Sequence, residues 1–196
     1  MIEYLKGEVT DLGPTFCVVE CGGVGYGLNI TLIDYDALNS GTKGEPVKMY
    51  VHESIREDAH ELYGFKEKAA REAFRMLIGV SGVGPNTARL ILSSLTVDQL
   101  ENSISSGNEI PLKSVKGIGG KTAQRIIVDL KDKIKSKVVS LNLSAPVVGA
   151  NFDDAAAALV MLGFSMQQSQ KALTKVFGND PNLNTEQAIK LALKMM

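Results

Sequence analysis

The sequence has no tryptophan, and aromatic residues make up only 6% of its 196 positions, so any core it builds is mainly aliphatic. It has no apolar run of about 18 residues or more, which excludes a membrane-spanning helix. The N-terminus, Met1-Ile2-Glu3-Tyr4-Leu5-Lys6-Gly7, has neither the basic start nor the apolar stretch of a signal peptide, and a cytoplasmic protein is expected. Cysteine is limited to Cys17 and Cys21. With no other cysteine and no histidine close by in sequence, this pair reads as small buried strand residues rather than a metal site. His52 and His60, the only histidines, read as ordinary strand residues. Acidic residues are plentiful but form no spaced metal constellation, so neither a metal nor a cofactor is expected.

One sign of charge is scarce locally, although the whole chain carries only −1. Residues 1–64 hold 4 Lys/Arg against 11 Asp/Glu, a net of −7. Residues 65–137 hold 13 against 7, a net of +6, and residues 138–196 hold 4 against 4. A basic middle suggests a segment that meets a polyanion, and an acidic first part suggests a different task. Lys-rich helix faces are commonly just solvated, so charge alone does not decide the matter.

What is present divides at the same boundaries. In residues 1–64, strand-like runs at 15–20, 25–30 and 47–51 alternate with turn signals at Leu12-Gly13-Pro14, Cys21-Gly22-Gly23 and Ser40-Gly41. Short strands at this spacing predict a small antiparallel barrel. The glycines at 22–27 do not match a dinucleotide fingerprint, and they precede a strand. From residue 65 the apolar spacing becomes helical, first over Lys68–Ile78 and then at Ala88, Ile91, Leu92 and at Ile126, Ile127, Leu130. Residues 138–151 carry no charge and contain Ser, Asn, Pro and Gly, which reads as a flexible linker. Residues 152–196 read as three helices. Asp153 or Asp154 caps the first, Ser165 with Gln168 and Asn184 with Gln187 have capping-box spacing, and Gly163 and Gly178 fit helix stops. A unit this small tends to expose apolar surface, which suits docking.

The basic segment contains an internal repeat at an offset of 35 residues. Gly82-Val83-Gly84-Pro85-Asn86-Thr87-Ala88-Arg89-Leu90-Ile91-Leu92 aligns with Gly117-Ile118-Gly119-Gly120-Lys121-Thr122-Ala123-Gln124-Arg125-Ile126-Ile127, identical at 5 of 11 positions. Helix, Gly-aliphatic-Gly loop, helix is the helix-hairpin-helix pattern. Its glycines permit tight left-handed backbone and clear side chains from the approach surface. The loop amides then sit beside the free amides and positive end of the next helix, which together suit phosphate. Val83 and Ile118 anchor the loops inward. Lys121 and Arg125, four apart on one helix face, add full charge. Gly82, Gly84, Asn86, Gly117, Gly119, Gly120, Lys121 and Arg125 are therefore the candidate DNA contacts. They read backbone, so binding is expected to be independent of sequence. Gly120-Lys121-Thr122 resembles the end of a Walker A loop, but Val115 stands where that motif needs glycine and no hydrophobic strand precedes it.

Along its full length the chain resembles the RuvA family of Holliday-junction recognition proteins. The matching stretches are Gly22-Gly23-Val24-Gly25-Tyr26, Arg56-Glu57-Asp58-Ala59 with Leu62-Tyr63-Gly64-Phe65, Gly82-Val83-Gly84-Pro85, Gly117-Ile118-Gly119, Lys121-Thr122-Ala123 and Ala158-Leu159-Val160-Met161-Leu162-Gly163-Phe164. The resemblance implies an α+β multidomain protein: an OB-fold barrel (1–64), a tandem helix-hairpin-helix domain (65–137), the linker (138–151) and a UBA-like three-helix domain (152–196). It implies a homotetramer, sometimes doubled to an octamer, that holds four-way junction DNA open and square. It further implies docking of the RuvB ATPase through Leu159, Leu162, Phe164 and Leu193, with the RuvC resolvase as a further partner, and no catalysis by this chain. Glu57 and Asp58, on their own a polar turn, become by resemblance an acidic pin at the crossover. The family often has Lys where this chain has Asn86, and Lys-Lys where it has Gly120-Lys121, which leaves the first loop with less charge. Two other readings of the loops are a nuclease or glycosylase, and an adaptor for plain duplex.

Overall fold

The glycine-separated runs form five strands, β1 (Tyr4–Gly13), β2 (Phe16–Cys21), β3 (Val24–Asn29), β4 (Val47–Ile55) and β5 (His60–Phe65). They close into a barrel in the order β1-β2-β3-β5-β4, with β1 also paired to β4 and only β3–β5 parallel. Closure removes the exposed edges that a small sheet would otherwise offer. Gly22 and Gly23, both at positive φ, make the two-residue turn between Cys21 and Val24. Leu5, Cys17, Val19, Leu28, Met49 and Val51 fill the barrel interior.

Strand β1 was not among the expected runs. Lys6, Glu8 and Asp11 break its apolar look, and its register shifts between Val9 and Asp11. Helix α1 (Leu32–Asn39) was likewise unforeseen. Thr31 caps it by accepting from the Asp34 amide, at 3.0 Å.

The structure is a computed structural model that describes residues 1–42, 44–142, 150–181 and 183–195. It comprises two compact units, Met1–Lys135 and Ser136–Met196. The first continues from the barrel into α2 (Lys68–Ile78), α3 (Pro85–Ser94), α4 (Val97–Ser106), α5 (Ile110–Lys113) and, up to Lys135, α6 (Gly120–Asn142). Their core is aliphatic, and it reaches the barrel through Phe74, whose ring centroid lies 5.0 Å from that of Tyr63 and 5.1 Å from that of Phe65. Barrel and helices are therefore packed on each other through aromatic contact, although their charges differ in sign.

The second unit packs α7 (Ala150–Met161), α8 (Met166–Asn179) and α9 (Thr185–Leu193) around Ala155, Leu159, Leu173, Val176, Ala188 and Ala192. Both expected capping boxes form, at Ser165/Gln168 and Asn184/Gln187. Gly163 ends α7 at φ 100°, and the Phe164 amide reaches back to the Leu159 carbonyl. Two expectations need correction. Helix α7 begins at Ala150, so Asp153 lies in its first turn rather than at its cap. Gly178 lies within α8, which ends instead at extended Asp180 before Pro181. Helix α6 also continues to Asn142, inside the stretch read as linker, while residues 143–149 lie outside the described residues.

Phe74→Ala should cost about 3–5 kcal/mol, and Ser165→Ala, which removes one cap, about 1 kcal/mol. Denaturant unfolding of the two variants, with the first probed through unit 1 and the second through unit 2, checks that ordering.

Candidate nucleic-acid interface

The two glycine loops are built alike, bond for bond. In each, a buried valine closes the turn: the Val83 amide donates to the Val80 carbonyl at 3.0 Å, and the Ile118 amide to the Val115 carbonyl at 3.1 Å. The following helix then starts with Ala88 donating to Gly84 at 2.9 Å and Ala123 donating to Gly119 at 3.0 Å. Val83 and Ile118 are buried as anchors, while Gly82, Gly84, Gly117 and Gly119 face solvent. Gly82 and Gly117 have φ of 87° and 89°, a conformation side-chain-bearing residues avoid. A Cβ placed on Gly84, Gly117 or Gly119 would meet no atom within 4 Å. Backbone shape thus requires glycine at 82 and 117, while Gly84 and Gly119 keep the outward surface free of side chains.

Between the anchors and the first helical bond lie the amides that matter. Among the described residues, those of Gly84, Asn86 and Thr87 donate to nothing, and neither do those of Gly119, Gly120, Lys121 and Thr122. A helix start always leaves such donors. Here no capping side chain takes those of α3, whose N-cap is Gly84. Each loop therefore offers a cluster of outward amides at the positive end of a helix, an arrangement suited to a phosphate.

The loops are unequal in two ways. Pro85 removes one amide from the first cluster, and Gly120 supplies the matching one in the second. Asn86 is neutral where Lys121 is charged. Both side chains are exposed. Exposed Lys116 and Lys113 add further charge beside the second loop, and Lys113 Nζ would lie 3.7 Å from a Cβ on Gly120. Glu109 tethers Lys113 at 2.5 Å, and the hydrogen bonds from Lys113 and Gln124 hold its carboxyl below the usual carboxylate range. Neither lysine was singled out from the sequence. Lys116 occupies the repeat position of Ser81, so extending the alignment by one residue would have found it.

Arg125 does more than add charge. Its Nη1 donates to the Ser81 carbonyl at 3.2 Å and approaches the Ser81 hydroxyl at 3.4 Å. The helix after the second loop therefore reaches across to the first, and the two loops share one surface. Arg89, by contrast, donates to the Thr15 carbonyl and Asn29 Oδ1, both at 3.1 Å, and its charge serves the packing of α3 on the barrel.

Glu57 and Asp58 lie at the exposed tip of the β4–β5 hairpin. The turn is closed by the Arg56 amide donating to the Ala59 carbonyl at 2.8 Å. Glu53, at the stem, accepts from His60 at 2.9 Å, so the tip carboxylates are not the ones used to brace it.

In the second unit, Leu162 is 60% exposed and Leu193 40%, and Phe164 is half-buried against the core. Leu159 is fully buried. Its helical spacing from Ala155 and Ala156 turns it inward, so as a docking residue it is corrected to core. Met161, Met166 and Met195 extend the exposed apolar set instead.

No group of three or more potential metal ligands occurs among the described residues. Burial, reinforced by Asp34, pushes the Cys17 thiol up to about 12, which suppresses the thiolate. Burial and the nearby Arg75 and Arg71 hold His52 below its usual range, among aromatic rings. No described helix is long and apolar enough to cross a membrane.

Comparison with known proteins accords with this geometry. Residues 1–64 match the RuvA N terminal domain, residues 74–132 the SAM-like helix-hairpin-helix tandem, and residues 150–196 the RuvA C-terminal domain. Proteins named Holliday junction branch migration complex subunit RuvA align over the whole of both chains. Identity is 53% for that of Parabacteroides distasonis, 48% for that of Bacteroides fragilis and 42% for that of Christiangramia forsetii. A barrel, a doubled glycine loop and a small helical unit, matched in that order by relatives over their full length, make this chain a member of the RuvA family.

Proposed function

We propose that the chain binds four-way Holliday junctions without reading base sequence, as a non-catalytic subunit of a branch migration complex. The observation that carries this reading is the pair of matching loops with outward, unpartnered amides. Phosphate oxygens accept such donors whatever base follows, so the contacts position the DNA without specifying it. Two loops linked through Arg125 and Ser81 grip a backbone at two points with fixed spacing. Four copies arranged around the crossover hold the arms apart, and residues 1–64, 65–137, 138–151 and 152–196 divide the work as barrel, grip, connection and docking module.

The charge split follows from that arrangement. A basic grip attracts the strands, while Glu57 and Asp58 on the hairpin tip repel phosphates at the centre. Unit charges 4 Å apart interact by roughly 1–4 kcal/mol in wet surroundings, so carboxylates from several copies in a confined space favour separated strands. The exposed Leu162 and Leu193 with half-buried Phe164 form the docking surface for the RuvB ATPase, which supplies the hydrolysis that drives migration.

Gel shifts of a four-way junction against linear duplex separate this reading from a plain duplex adaptor, and metal-dependent cleavage would favour a nuclease. For a tetramer presenting eight loops, each neutralising about one phosphate, log K should fall with log salt at a slope of about −7, whereas a slope near −2 would mean idle loops. Within that total the second loop dominates. Lys121→Ala should weaken junction binding about tenfold or more, Asn86→Ala only slightly, and Asn86→Lys should strengthen it. Glu57→Gln with Asp58→Asn should keep or raise junction affinity while altering motor-driven migration. A large loss of affinity in that variant would count against the acidic turn. Leu162→Asp should abolish motor-driven migration yet leave junction binding within about twofold, since it touches neither loop.

A further inference from the structure

Among the described residues Arg71 is the only buried lysine or arginine, at 1% exposed, and it is one of the largest fully buried side chains. A buried guanidinium is costly unless its donors are used, and here they are. Nη1 donates to the Glu3 carbonyl at 2.8 Å. Nη2 meets Glu3 Oε1 at 2.6 Å and Glu72 Oε1 at 2.7 Å, and Nε donates to Glu72 Oε1 at 3.1 Å. The guanidinium carbon lies 5.5 Å from the Tyr50 ring centre, and Arg75 braces Glu72 at 3.2 Å.

The partners sit where the two halves of this unit meet. The Glu3 carbonyl that accepts from Arg71 also accepts from the Val51 amide of β4, at 3.1 Å. From Val51 the strand runs directly to Ile55 and the acidic turn. From Arg71, α2 runs to Ile78, and the chain continues through Val80 into the first glycine loop. Nearby Phe74 already packs on Tyr63 and Phe65, but ring contacts tolerate sliding. A planar fork bonded to one carbonyl and two carboxylates does not.

We propose that Arg71 is a positioning residue that locks the acidic turn to the glycine loops, so that repulsion at the crossover is applied at a fixed place relative to the grip. This inference rests on the reading of Glu57 and Asp58 as acting on the junction. The carboxyl of Glu3 is held below its usual range, first by its hydrogen bond from Arg71. A depressed carboxylate contributes above its unfolded pKa and is lost as pH falls through its folded pKa, so the lock loosens in acid.

The experiment uses the full chain and a four-way junction labelled with a donor and an acceptor on opposite arms. Four proteins are compared: the native chain, Arg71→Lys, Glu57→Gln/Asp58→Asn, and all three substitutions together. Arg71→Lys keeps the charge but loses the fork. It should keep linear-duplex affinity within about twofold and broaden the arm-to-arm distance distribution of the bound junction. In the neutral-turn background the same change should add little, because the turn no longer pushes. Should Arg71→Lys prove unfolded, Glu3→Gln/Glu72→Gln, whose sites are partly exposed, replaces it in the same comparison. Equal broadening in both backgrounds, or a parallel fall in duplex affinity, would overturn the positioning role. If Glu57→Gln/Asp58→Asn alone leaves the native distribution unchanged, the acidic-turn reading fails and the inference falls with it.

Discussion

The proposed grip on DNA depends first on backbone donors left unused at two helix starts. A buried or capped amide would be satisfied within the protein and have nothing to offer. Here the loop glycines keep the amides of residues 84, 86, 87 and 119–122 both free and reachable. Val83 and Ile118, fixed in the core, prevent the loops from collapsing onto their own donors. On the proposed function the affinity is generic to phosphate, and any preference for a junction comes from how the clusters are spaced.

Spacing is where the rest of the first unit contributes. Arg125 ties the second helix to the first loop, and Arg71 with Phe74 ties that loop's leading helix to the barrel. The barrel in turn projects a short, two-stranded hairpin ending in Glu57 and Asp58. The loops proposed to attract phosphate and the hairpin tip proposed to repel it are thus carried on one packed body. On the proposed function, a chain with a net charge of −1 can serve a polyanion because its charges are separated in sequence.

Much of this was legible in the sequence because its signals are local. The 35-residue repeat exposed both loops, and Gly82 and Gly117 have the left-handed backbone that the pattern expects. The two capping boxes of the second unit were readable from three-residue spacings. What stayed hidden depends on partners distant in sequence. Strand β1 carries charges on its outward side and is recognisable only once β2 and β4 flank it. Arg71 reads as a solvated helix residue until Glu3, 68 positions earlier, is brought beside it. The Arg125–Ser81 bond spans 44 positions. Leu159 looked equivalent to Leu162, but packing of three helices turns one inward and leaves the other exposed.

The proposed grip rests on individual amides, and amide hydrogen exchange reads them one by one. Exchange should be followed residue by residue on the full chain, free and saturated with a four-way junction of arbitrary sequence. The amides of Gly84, Asn86, Thr87, Gly119, Gly120, Lys121 and Thr122 should exchange rapidly in the free protein and become protected on binding, with the second cluster protected more strongly. Unchanged exchange at both clusters in a saturated complex would contradict the proposed grip.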